Sequence, residues 1–253
     1  MEEKAFPPNT KLLGIKRLDN VMRSIVFDTG PIISLVTNNL LWILKPLKEK
    51  FKGEFYITPS VKKELIDKAF LTKRFELEAF QVSQYIRKGI FKIIDNKEIK
   101  KITNKLMDLG NHSFKARGEY IKIIHNAETE VLAADAVINA DAVVIDERTA
   151  RLLLENSPKL TQLMERRLNC KIKPNKENIK EFKKILKDVQ IIRSTELVTI
   201  AYKTGLLDRY LIERSKLIKN PKKRLLDAAL WAVKIRGCSI SSKEIKQIIE
   251  LET

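Results

Sequence analysis

Two short runs in this chain, SIVF at Ser24–Phe27 and AVVI at residues 142–145, are almost wholly apolar, and each ends in an aspartate that leads straight into a helical pattern. An apolar run without polar alternation suits a strand covered on both faces. Asp28 follows the first run and Thr29, Gly30 and Pro31 follow Asp28, with Pro31 placed as at a helix start. Asp146 follows the second run, and the helix expected over ERTARLLLEN begins at once. Further short strands are expected at 55–57, 90–94 and 190–192, and helices at 59–70, 71–88 and 97–109, the last stopped by Gly110. Asn126 is read as the cap of a helix over ETEVLAADAVINA, and helices are expected across 165–188, 195–218, 223–235 and the C-terminal SSKEIKQIIEL, with Ser241 or Ser242 as cap. Strands alternating with helices predict an α/β fold with a mostly parallel central sheet covered on both faces.

In such sheets ligands gather outside the carboxyl ends of the strands. If the two apolar strands are neighbours, Asp28 and Asp146 face one crevice. Close carboxylates repel, and one takes up a proton unless a cation neutralises the pair. Oxygen-only ligands suit Mg²⁺ or Mn²⁺. Each aspartate taken singly also fits a helix cap. Glu64 and Glu128 lie early in their helices, where an acid is favoured by the helix dipole alone, but both helices start at what should be the same end of the sheet. Glu130 points to a different face from Glu128, and Asp135 lies two turns deeper, as a structural or supporting acid.

The chain has 253 residues, enough for one well-buried domain or a domain with an extension. Its formal charge of +17 favours a polyanionic partner, nucleic acid above all, although lysine-rich surfaces also serve solubility. The basic stretches RRLNCKIKPNKENIKEFKKILK and KLIKNPKKR fit either phosphate contacts or a solvated helix face. Trp42 and Trp231 sit on apolar helical runs and are read as core. Cys170 and Cys238 are too few and too far apart for a disulfide framework or a zinc cluster. Phosphate-binding glycine motifs are absent, and only His112 and His125 could serve as histidine acid or base. No apolar run approaches the roughly 20 residues needed to span a bilayer, and the start is polar. The expectation is a soluble, cytoplasmic protein with no membrane role.

The order FDTGPIISL, ITPSVKKELID and NAETEVLAADAVINADAVVIDERTARLL resembles the PIN-domain nucleases. It is most similar to a branch with a Glu-x-Glu acidic pair, which itself resembles the VapC-type toxins of toxin–antitoxin pairs. The C-terminal TELVTIAYKTGLLDRY and ALWAVKIRGCSISSKEIKQIIE are similar to that branch's last helices. The resemblance implies a PIN-like three-layer α/β/α fold with helical insertions near 67–119 and 156–188, within a domain spanning 22–253 behind a charged arm at 1–21. It implies a metal-dependent ribonuclease, with Asp28, Glu64, Glu128 and Asp146 as catalytic, metal-binding acids. Thr29, the small hydroxyl residue after the first acid, and Arg148 are read as substrate contacts. Glu128 stands where many relatives have Asp. RNA would be the substrate, with Mg²⁺ or Mn²⁺ as cofactor, and a homodimer and a small antitoxin-like protein are the partners such relatives have. The alternative is a non-catalytic nucleic-acid-binding or scaffold protein with the same fold.

Overall fold

In the computed structural model, residues 23–73, 75–211 and 219–253 are described. The charged arm expected at 1–21 and the end of the helix expected over 195–218 lie outside them. The chain begins with β1 (Ser24–Phe27), α1 (Thr29–Thr37), a short 3₁₀ turn and α2 (Leu44–Phe51), then β2 (Glu54–Ile57). A helical rod follows as α3 (Pro59–Lys62), a π-helical segment (Lys63–Asp67) and α4 (Lys68–Phe70). Next come α5 (Glu76–Arg87), β3 (Phe91–Ile93), α6 (Lys97–Asn111), a hairpin of β4 (Phe114–Ala116) and β5 (Glu119–Tyr120), α7 (Asn126–Ile138) and β6 (Ala142–Val144). The remainder is α8 (Arg148–Glu155), α9 (Ser157–Leu168), β7 (Ile172–Pro174), α10 (Lys176–Ile185), β8 (Ile191–Ile192), α11 (Ser194–Lys203), α12 (Pro221–Ile235) and α13 (Ser242–Glu252).

Five strands form a parallel sheet in the order β3-β2-β1-β6-β8. The expected α/β class is therefore observed, with the sheet between two helical layers. On one side α7 packs on β1 and β6, backed by α6 and then α10. Elsewhere α1 meets α5 and α11, and α12 joins α11 to α13. Val26, Phe27, Val143 and Val144 are fully buried, as continuous apolar strands require. Phe27 meets Phe55 at 5.0 Å and Phe91 at 5.3 Å between ring centroids, which ties three neighbouring strands together.

The order of the strands matters most for function. From β1 the chain moves one way to β2 and β3, then returns to the other side of β1 with β6. Strand order thus reverses between β1 and β6, which pair directly, Phe27 opposite Val144. A crevice opens at such a switch point because the connections leave in opposite directions.

Several details depart from the sequence expectations. A second sheet, β5-β4-β7, is antiparallel and was not anticipated. It splits the expected lysine-rich helix at 165–188 into α9 and α10. Gly110 does not stop α6, which runs on to Asn111. A Cβ at Gly110 would collide with the Ile124 side chain, so its role is close packing. His125, rather than Asn126, precedes the first turn of α7. Trp231 is 38% exposed and not core, whereas Trp42 is half-buried and donates from Nε1 to Tyr210 Oη at 3.0 Å. Cys238 is buried and Cys170 half-buried, both free thiols.

Candidate active site

Asp28 closes β1, and its backbone N–H donates to Val144 O at 3.0 Å, which fixes the strand end against β6. Asp146 stands two residues beyond β6. A Cβ built on Gly30 would lie 3.7 Å from both Asp28 Oδ2 and Asp146 Cβ, so the two aspartates meet across that bare backbone. Glu64 comes from the π-helical segment, whose wider turn changes the direction of the side chain relative to a plain α-helix. Glu128 lies in the first turn of α7. All four acids line one crevice of about 380 Å³, together with Thr29, Ser34, His125, Glu147, Arg236 and Gly237.

The environments of these acids differ. Asp28 is 7% exposed, and burial pushes its carboxyl up to about 7, against the lowering pull of the Thr29 and Gly30 N–H groups. The charges of Glu64 and Asp146 push the same way as burial. Glu128 is raised to about 8, first by burial, then by Asp28 and Glu147. Its Oε1 is buried and accepts no hydrogen bond. Glu64 is held by the Thr29 hydroxyl, which donates to Oε2 at 2.9 Å, and by Lys68 at 3.5 Å from Oε1. Thr29 thus contacts an acid of the crevice rather than standing free.

Asp146 is the most tightly tied of the set. Ser34 Oγ and Ser194 Oγ donate to its Oδ2 at 3.0 and 2.8 Å, and Ser194 N donates to Oδ1 at 2.8 Å. Burial still raises its carboxyl, while these donors oppose the shift. Glu147 was not among the expected site residues. It lines the crevice and its charge acts on Glu128, while its Oε1 caps the N–H of Thr149 at 3.2 Å. The sequence signal was present as the second acid of IDER, but a residue just before a helix reads first as a cap. Arg148, expected as a substrate contact, is exposed and lies just outside the crevice, in a neighbouring cleft. Glu130 faces elsewhere, accepting from Ser60 N at 2.8 Å at the start of α3. Asp135 is buried away from the crevice, with Oδ1 unpartnered and its carboxyl raised by burial to about 7.

A divalent cation fits this chemistry. The four acids bring carboxylate oxygens together, and the unpartnered Glu128 Oε1 and the raised Asp28 and Glu128 show carboxyls whose charged form is disfavoured by burial without a cation. In the side-chain arrangement seen, no three acids, histidines or cysteines among the described residues stand in ligating geometry.

A PIN-domain family model (DUF3368) matches residues 24–158, just over half the chain and the whole stretch from β1 to the start of α9. The chain belongs to the PIN-domain family. No curated protein and no solved structure matches it. PIN domains are generally nucleases, and PIN nucleases generally use divalent metals. Among the described residues, no helix of this PIN protein is long and apolar enough to cross a membrane.

Proposed function

We propose that this PIN protein is an Mg²⁺- or Mn²⁺-dependent ribonuclease that hydrolyses phosphodiester bonds, with residues 22–253 acting as one PIN-like unit. The observation that carries the reading is the meeting of Asp28, Glu64, Glu128 and Asp146, from four separate elements, in one crevice at the switch point of the sheet. A bound dication would be held by Asp28, Glu64 and Glu128, with Asp146 bracing the floor, and would supply Lewis-acid stabilisation of charge on the phosphate. The buried Glu128 Oε1, which has no hydrogen-bond partner, supports a role for this carboxylate in holding the cation. The Thr29 hydroxyl fixes the rotamer of Glu64, so one acid is already oriented before substrate arrives. Arg236, exposed at the rim without a carboxylate partner among the described residues, would offset the charge of the incoming phosphate.

RNA as substrate, the VapC-like branch with its Glu-x-Glu pair, a homodimer and an antitoxin-like partner all follow from the sequence resemblance. The net charge of +17 supports a polyanionic substrate of either sugar type. The decisive assay is cleavage of a labelled single-stranded RNA with Mn²⁺ or Mg²⁺, expected to stop in EDTA and to resume on adding metal. Salt-sensitive binding without cleavage, across several RNAs and metals, would replace the enzyme with a non-catalytic nucleic-acid-binding protein.

A further inference from the structure

Next to the acid crevice lies a second cleft of about 600 Å³, between α8, the start of α9, the β8–α11 junction and the segment joining α12 to α13. A common wall separates the two. Asp146 and Glu147 face the crevice while Arg148 faces the cleft; Arg236 and Gly237 face the crevice while Cys238 and Ser239 face the cleft. Gly237 adopts φ +120°, a conformation open to glycine, which lets the chain turn down onto β6, where Ser239 N donates to Asp146 O at 3.2 Å. A linear ligand leaving the acids would have only this wall, the Glu147–Arg148 and Gly237–Cys238 links of the chain, to cross before the cleft.

Its charges divide into two groups. Arg193 and Arg151 are braces: both donate to Ser239 O, and Arg193 is also paired with Glu196 at 2.7 Å and Glu244 at 3.0 Å. Arg148 and Lys159 are exposed and have no carboxylate partner among the described residues. Among the described residues Lys234 reaches the Ser242 hydroxyl, at 2.8 Å, and the face of Trp231, 4.4 Å from the ring centroid, and no carboxylate. Trp231 lies exposed on the same outer face of α12. Cations without a carboxylate partner among the described residues, in a cleft beside the acid crevice and next to an exposed indole, suit the alternation of phosphate and base in a single strand.

We propose that this cleft is the track for a single-stranded nucleic acid on one side of the scissile phosphate, with Arg148, Lys159 and Lys234 on successive phosphates and Trp231 stacking a base. The proposal rests on the nuclease reading of the crevice and adds the substrate's strandedness and path.

The test is fluorescence anisotropy of labelled single-stranded RNA with the full chain in EDTA, so that binding is read apart from cleavage. Arg148→Glu with Lys234→Glu should weaken binding about 10-fold and reduce the slope of log K against log salt by about 1.4, roughly 0.7 per lost phosphate contact. Lys50→Glu with Lys52→Glu makes the same change in net charge at the opposite end of the sheet and should leave the slope unchanged. Base stacking should quench tryptophan emission in Trp42→Phe but not in Trp231→Phe, and Trp231→Ala should lose affinity about 5- to 150-fold. Melting curves confirm that each variant is folded. Equal losses for both charge-reversal pairs, or none for the cleft pair, overturn the track. Normal binding by the cleft pair alongside metal-dependent cleavage removes the track and leaves the nuclease. Weakened binding by the cleft pair in a protein that never cleaves keeps the track and removes the nuclease.

Discussion

The ends of β1 and β6 look alike in sequence, an apolar strand closed by an aspartate, yet the fold surrounds them differently. Among the described residues the Asp28 carboxylate accepts only from the N–H groups of Thr29 and Gly30, and burial raises it to about 7, so that it is about half protonated near neutral pH. Asp146 is clasped by Ser34 and Ser194, which join α1 and α11 to the end of β6. Two copies of one local motif thus take different work. The lightly bonded carboxylate is buried with no donating side chain among the described residues, at a cost in folding free energy. The clasped one holds the helices that shape the crevice.

The sharpest test of this contrast is Asp28→Asn, expected to lower metal-dependent cleavage roughly 10³-fold or more with the fold intact. If cleavage survives, Asp28 is not the free ligand and the contrast fails. Asp146→Asn puts an amide where serine hydroxyls donate, and should reduce stability by about 1–3 kcal/mol in urea unfolding. A loss that small for Asp28→Asn as well would erase the distinction.

The pH dependence tests the burial of the lightly bonded acids. Asp28 and Glu128 hold protons in the folded state up to about pH 7 and 8, whereas in the unfolded chain they release them near 3.8 and 4.5. Between those limits the folded state binds more protons, so stability falls as pH rises. Without metal, urea midpoints should therefore decline from about pH 4 to about pH 8, and saturating Mg²⁺ should flatten the decline. Asp28→Asn removes one contributor and should raise metal-free stability at pH 8 by about 0.5–2 kcal/mol. Stability that climbs with pH over that range would contradict the buried, unpaired acids. The smallest effect is expected for Ser34→Ala, a loss of about 1 kcal/mol from the clasp, with metal affinity nearly unchanged by calorimetry.

Much of this architecture was legible in the chain. SIVF coincides with β1, and the remaining parallel strands fall within a residue of their expected spans; β1 and β6 are buried on both faces and so apolar throughout, while β2 and β3 keep short β-branched or aromatic runs. The polar strands of the second sheet, FKA, EY and IKP, escaped notice, since two or three residues without apolar periodicity carry no local signal. The same limit hid the break between α9 and α10. Gly110 looked like a helix stop because its real partner, Ile124, approaches from outside the helix. Trp231 looked like core because an apolar run does not say which face of a helix is covered.

Composition and pattern alone determined the α/β class, the surplus of positive charge and the matched aspartates at the ends of two apolar strands, because each depends on residue type and near neighbours. Tertiary structure decided the rest: that β1 lies beside β6, that Glu147 joins the crevice, that Asp146 is clasped, and that a cationic cleft opens on its far side. These depend on which distant segments the packed sheet brings together, and no local stretch of chain encodes such distances.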